Sequence, residues 1–265
     1  VDTGNQVLML HGLRRAKKPA DDAHPFGYGM EVYFWTFVVA ILVFAGGAGV
    51  SIYEGVHKVM APEPVSNVMI NYAVLGAAMV FEGIAWVMAY REFGRSKGRM
   101  GLIEAVSRSK DPTVFTILFE DTAALLGLLV AFIGIAAADY LDMPLLDGVA
   151  SIVIGLILAL TASLLAFETK GLLIGEAAHP RVVEGMRRIA RAEDTVIGVN
   201  EILTMHLGPK DILLNVSLDF ADKKTAEDVE TSVTNMERQI KMQFPEVTRV
   251  FIEAQSRASQ RRLRS

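Results

Sequence analysis

FTILFEDTAALLGLLVAFIGIAA, residues 115–137, is long enough to cross a bilayer and almost wholly apolar, yet Glu120 and Asp121 stand side by side inside it. Entering at Pro112 and rising ~1.5 Å per residue, a helix carries Asp121 ~13 Å inward, near the middle of a ~30 Å hydrocarbon core. A charge at that depth costs several kcal/mol unless it is paired, hydrated or bound to a cation. The stretch therefore predicts a membrane span that carries half of a cation site. A core helix of a water-soluble domain with one buried ion pair is the plainer reading, and the rest of the chain argues against it.

Working outward, three more runs read as spans: about 32–53, 68–90 and 144–167, beside 113–138 for the opening stretch. Gly46, Gly47 and Gly49 in the first of these would let another helix approach closely. Glu82 lies inside the second, nine residues before Arg91 and again ~13 Å deep. It reads either as a protonated or helix-bonded carboxyl or as a proton or coupling residue in transport. Val1–Leu13 (VDTGNQVLMLHGL) reads as the last turns of a further helix. Asp2, about twelve residues before Arg14, then also reaches mid-membrane; a frayed, solvated terminus is the other reading. The expectation is that residues preceding Val1 complete that span.

Composition agrees with a membrane domain joined to a polar one. Hydrophobic residues make up 52% of the 265, and the mean hydropathy is +0.36. No Cys is present, which excludes disulfides, thiolate zinc sites and thiol redox chemistry. The connections at Arg14–Lys18 and Arg91–Lys110 are basic, whereas Glu54–Asn67 and Asp139–Asp147 carry only Lys58 between them. Cytoplasmic loops hold the excess of Lys and Arg. The basic loops and everything after Lys170 are therefore expected in the cytoplasm, and the visible spans alternate correctly under that assignment. Asp147 at the outer mouth of the last span reads as a helix cap, with a ligand on an exit path as the alternative.

Between the first two helices lies ADDAHPFGYG, residues 20–29, where Asp21, Asp22 and His24 cluster in a turn set by Pro25, Gly27 and Gly29. The stretch fits a secondary metal-binding loop on Asp21 and His24 or, more commonly for such a pattern, a helix cap followed by a turn. After Gly175 the pattern changes. Pro180–Ala192 is amphipathic, Ile197–His206 and Asp211–Phe220 are strand-like, and Ile212–Phe220 alternates with period two. Thr225–Phe244 is a second amphipathic helix, and Glu246–Ala254 a last strand. The division expected is 1–172 membrane domain, 173–255 small α+β domain, and 256–265 basic disordered tail. No nucleophile–base pair or H-E-x-x-H appears, so the chain is not expected to be an enzyme.

These pieces together resemble the cation diffusion facilitator family of divalent-metal transporters, and the likeness covers essentially the whole chain. D-D-x-H-P-F-G-Y-G carries it most specifically; the E-D-T-A-A run at residues 120–124 resembles the branch containing a mitochondrial zinc-transporter-like protein. The resemblance implies a six-span membrane domain, of which the chain shows four whole spans and part of another, and a cytoplasmic α+β domain that pairs two copies. It implies a metal site on Asp2 and Asp121, with Gly127 behind, four residues after a ligand in each helix. Here Ile117 stands four before Asp121, so Glu120 is the available substitute, although an adjacent residue points ~100° away. Where some relatives have His in the loop this chain has Tyr28, and Asn200, Val216, Glu230 and Glu253 stand near positions of a paired zinc site it lacks. The implied activity is efflux of a divalent metal, Zn²⁺ first and Mn²⁺, Fe²⁺ or Co²⁺ as alternatives, in exchange for protons. The alternative is a transport-degenerate homologue acting as regulator or scaffold. The expected setting is a multi-pass homodimer in a bacterial inner membrane, with no nucleic-acid partner.

Overall fold

The computed structural model describes residues 2–62, 67–97 and 110–264. Residues 98–109 of the basic connection and 63–66 of the Glu54–Asn67 connection lie outside them. The contacts divide the chain into two units. One holds Val1–Ala16 and Glu31–Lys170; the other holds Lys17–Met30 and Gly171–Ser265.

The first unit is helical. Its elements are α1 (Asp2–Ala16), α2 (Glu31–Leu42), a π-helical turn (Val43–Gly49), α3 (Val50–Met60), α4 (Val68–Lys97), α5 (Pro112–Tyr140) and α6 (Leu145–Ile174). Helices at Glu31–Met60, Val68–Gly94, Phe115–Tyr140 and Leu145–Ile174 are long and apolar enough to cross a membrane. Each expected span is present and most run further. The first continues seven residues past Tyr53 because Glu54, His57 and Lys58 stay helical. Two contacts secure those extra turns. Lys58 Nζ meets Asp147 Oδ2 at 2.8 Å, and Gly55 lies against the α6 backbone at Gly148 and Ile152. Asp147 is therefore engaged in an ion pair rather than in the expected capping.

Backbone proximity sets the α3–α6 crossing. A Cβ on Gly148 would fall 2.9 Å from Val59 N and 3.0 Å from Gly55 O, and one on Gly155 3.1 Å from Ala48 O. Where helices are surrounded by lipid, such close packing is what holds two of them together. At the other end, α1 is tied to α2 by charge: Arg15 Nη2 donates to Glu31 Oε1 at 2.8 Å, and Trp35 Nε1 to Glu31 Oε2 at 2.8 Å. Helix α4 is stitched to α5 where Trp86 Nε1 donates to Thr122 Oγ1 (2.9 Å), beside a small core of Phe93, Phe115, Leu118 and Leu165.

The second unit has the α+β order read from sequence. It comprises α7 (Pro180–Ala192), β1 (Val196–Gly208), β2 (Asp211–Phe220), α8 (Ala226–Gln243) and β3 (Val247–Ala254), then α9 (Arg257–Arg264). The central strand is β2, antiparallel to β1 and parallel to β3. A parallel neighbour requires a crossover, which α8 supplies. Ile212, Leu214, Val216 and Leu218 alternate inward onto Val182, Met186 and Ile189 of α7 and Met236, Ile240 and Phe244 of α8. On the opposite face Leu203, Asn215 and Phe251 are exposed, whereas Ser217 is buried. Gly175, at φ +109°, turns the chain out of α6, its N–H returning to Gly171 O as in a left-handed helix cap.

Two features of this unit differ from expectation. Residues 257–264, expected disordered, form α9, because Ser256 Oγ accepts Ser259 N–H and Asp219 Oδ2 accepts Arg257 N–H, satisfying the first turn. Residues 17–30, grouped from sequence with the membrane domain, pack on the sheet. Gly29 abuts Leu207 O so closely that a Cβ would lie 2.3 Å away, and the Arg249 guanidinium stands 5.2 Å from the Phe26 ring.

Candidate functional site

Helix α5 begins where Asp111 Oδ1 accepts Thr113 N–H and Pro112 takes the first helical position. Counting from there, Thr116, Glu120, Ala123 and Gly127 share one face of the helix. The last three of these line a cavity of about 510 Å³. The π-helical turn contributes Val43 and Gly47 to its wall, α4 contributes Glu82 and Phe81, and α6 contributes Leu158 and Thr161. A π turn inserts an extra residue and is often found beside functional sites. In this one, Gly47 leaves its part of the wall without a side chain.

Of the residues expected from sequence, Glu120 and Glu82 come together on this cavity. Glu120 is also fixed from α1: buried Asn5 donates its Nδ2–H to Glu120 Oε1 at 3.2 Å. Asp2 lies one turn before Asn5 in α1. Asp121 is half-buried and is not among the lining residues, about 100° around α5 from Glu120. Among the described residues no three His, Asp or Glu side chains converge as a ready metal cage. Sequence reasoning missed Asn5 because it is neutral. The available signal was its D-x-x-N spacing from Asp2, which puts both on one side of a helix.

The loop residues make a compact turn. Asp21 Oδ1 accepts His24 N–H (2.7 Å) and Asp21 Oδ2 accepts the Tyr28 hydroxyl (2.6 Å). The Tyr28 hydrogen bond, then the His24 backbone N–H, holds the Asp21 carboxyl below the usual carboxylate range. His24 Nδ1 is 3.6 Å from Asp21 Oδ1, and its ring lies 4.2 Å from that of Tyr28. Within Gly171–Ser265 the histidines His179 and His206 have structural roles. His179 Nδ1 caps α7 by accepting Arg181 N–H, and buried His206 places Nδ1 3.3 Å from Gly208 O. Asn200 Nδ2 donates to Gln255 O at 2.7 Å, joining β1 to the end of β3, and Val216 is core.

A bundle of membrane-length helices with two carboxylates, Glu82 and Glu120, on a cavity among them, followed by a small α+β domain, is the architecture of a membrane protein. Residues 1–174 match the family model described as the cation efflux transmembrane domain, and the chain belongs to that family. It is thereby an integral membrane protein of a transporter family. Among known relatives, the human mitochondrial proton-coupled zinc antiporter SLC30A9 is 28% identical over 222 residues, 83% of this chain and 39% of that protein. Metal tolerance protein C4 of Arabidopsis thaliana is 27% identical over 221 residues, 83% of this chain and 48% of that protein. An uncharacterised transporter of Methanocaldococcus jannaschii is 23% identical over 238 residues, 88% and 78% of the two chains. The chain thus spans less than half the length of the first two.

Proposed function

We propose that the protein exports a divalent metal cation, Zn²⁺ in the first place, across a membrane in exchange for protons. The observation that carries this reading is Glu120, positioned by Asn5 in the wall of a cavity some 12 Å along α5 from Pro112. The names of the relatives, a proton-coupled zinc antiporter and a metal tolerance protein, point the same way. Glu120 and Asp121 from α5 and Asp2 from α1 are the metal ligands. Carboxylates bind metal only when deprotonated, so loading releases protons and unloading takes them up. Rocking of helices around a fixed mid-membrane site then exposes it alternately to each side. The excess of Lys and Arg in the basic connections supports a cytoplasmic position for the second unit. The loop Lys17–Met30 belongs to the same unit as the C-terminal domain, as a loop on that side would. A metal site on Asp21 and His24 would have to displace the Tyr28 hydroxyl from Asp21, so this loop acts chiefly as structure.

A second copy fits the exposed row on the outer face of the sheet. Register places Leu203, Asn215 and Phe251 in one row across it, with Leu203 and Phe251 54% and 53% exposed. Arg249 flanks this row at one end of β3 and Glu253 at the other. A two-fold axis along the row sets each apolar side chain against its own copy and Arg249 against Glu253, as an isologous interface requires.

Purified protein in proteoliposomes loaded with a metal-sensitive dye tests the transport reading. Asp121→Ala and Glu120→Gln are each expected to lower metal uptake at least a hundredfold while the protein remains inserted and dimeric. Wild-type rates in both variants would overturn the site, and wild-type vesicles that take up no metal would favour a non-transporting scaffold.

A further inference from the structure

Glu120 and Asp121 are neighbours on α5, so the rotation of that helix about its own axis decides which carboxylate meets the cavity and α1. Apolar side chains cannot fix that rotation. Turning an almost wholly apolar helix exchanges one apolar face for another, and lipid tails favour neither. Hydrogen bonds to neighbouring helices can fix it, and two of these fall within residues 120–122. Glu120 Oε1 accepts from Asn5 Nδ2 of α1 at 3.2 Å, and Thr122 Oγ1 accepts from Trp86 Nε1 of α4 at 2.9 Å. The two side chains leave α5 about 200° apart, and Asp121 stands between them in the chain.

The Trp86 contact has a fixed polarity. Thr122 donates its own hydroxyl proton to Leu118 O at 2.6 Å, which leaves its oxygen to accept. An indole N–H only donates, so the bonds run in one order, from Trp86 to Thr122 to Leu118. The ring itself is held on two sides. It stacks on Tyr90, with 5.1 Å between centroids and 15° between planes, and it packs against the core of Phe93, Phe115 and Leu118. Trp86 thus presents a rigid donor to the residue that follows Asp121.

We propose that Trp86 is a positioning residue for the metal ligands: through Thr122 it sets the rotation of α5, and so the directions in which Glu120 and Asp121 present their carboxylates. The proposal deepens the transport reading and rests on it for the metal. Trp86 itself binds no ion. Without its N–H, α5 samples rotations in which the ligands no longer converge, and apparent affinity falls with the fraction of time spent in the competent one. The maximal rate is kept, because bound metal holds the carboxylates together once they have converged. Loss of folded protein has the opposite signature, a lower maximal rate at unchanged KM.

Calorimetric titration of Zn²⁺ into the full chain in lipid nanodiscs, with Zn²⁺ uptake into dye-loaded proteoliposomes, tests the assignment. Trp86→Phe keeps an aromatic ring and removes the donor, and Thr122→Val keeps the shape and removes the acceptor. Each is expected to raise Kd and KM at least fivefold, with a maximal rate within threefold of the wild type. Thr122→Ser keeps the hydroxyl and is expected to change both constants less than twofold. Trp86→Phe combined with Thr122→Val is expected to bind within twofold of the weaker single variant, because one bond can be lost only once. Any other pattern overturns the proposal, whether Thr122→Ser and Thr122→Val bind alike, the single effects multiply, or the maximal rate falls at unchanged KM. Should Trp86→Phe fail to fold, the two Thr122 variants decide alone. The expected Thr122 pattern in binding without wild-type uptake removes the transport reading alone. Wild-type uptake with no difference between the two Thr122 variants removes the positioning role alone. A wild type that binds no Zn²⁺ overturns both.

Discussion

At the scale of single residues, chemistry follows from which way a side chain points. Adjacent carboxylates on α5 diverge by about 100°, and only Glu120 faces the cavity and Asn5. The presence of charge at mid-span could be read from residues 115–137 alone, since apolar length and depth are counted directly. Which of the two acids lines the cavity could not, because that depends on how far α5 is rotated against α4 and α6. Asp21 offers a residue-scale test outside the membrane. Its carboxyl is held low by Tyr28, so the contribution it makes to the loop is present above the unfolded value of about 4 and is lost as pH falls through the lower folded value. Tyr28→Phe is expected to move the Asp21 titration upward, toward the ordinary value. Carboxyl carbon shifts followed by NMR would show this, and an unmoved midpoint would mean the backbone N–H of His24 suffices alone.

Among the elements, helix existence was legible and helix length was not. Hydropathy located all four spans, but the polar residues Glu54, His57 and Lys58 suggested a loop where α3 in fact continues. Their charges are accommodated because one face of that turn packs Gly55 against α6 while Lys58 reaches Asp147. The π turn at Val43–Gly49 was equally hidden, since Gly46, Gly47 and Gly49 signal close approach without saying how the backbone uses it. The α3–α6 contact yields a direct test. Gly148→Ala introduces a Cβ 2.9 Å from Val59 N and 3.0 Å from Gly55 O, both backbone atoms that cannot swing aside. Overpacking of this kind costs about 1–3 kcal/mol. A lowered melting temperature in detergent is expected for Gly148→Ala, and little change for Gly76→Ala, where a Cβ meets nothing within 4 Å. Equal melting of the two variants would show that the helices part easily.

For the whole molecule, the order helix–strand–strand–helix–strand was readable because period two and period 3.6 alternate cleanly after Gly175. The exposed row on the outer sheet face was readable only after the register was known, since Leu203 and Phe251 are 48 residues apart in the chain and one strand apart from each other. If that face joins two copies, Leu203→Glu with Phe251→Glu places four like charges in one interface. Light scattering of the full chain in detergent is then expected to fall from the mass of two protomers to that of one. An unchanged mass would assign pairing to another surface.

The docking of residues 17–30 on the second unit also bears on the order of synthesis. The segment that ends α1 leaves the ribosome early, whereas its partners Leu207 and Arg249 are made some two hundred residues later. At ~5–20 residues per second, the turn around Asp21 waits roughly ten to forty seconds for the surface that receives it. Its internal bonds from Tyr28 and His24 to Asp21 need no later residue. They let the turn take shape during that interval, so that what docks at the end is a preformed knuckle rather than a loose strand.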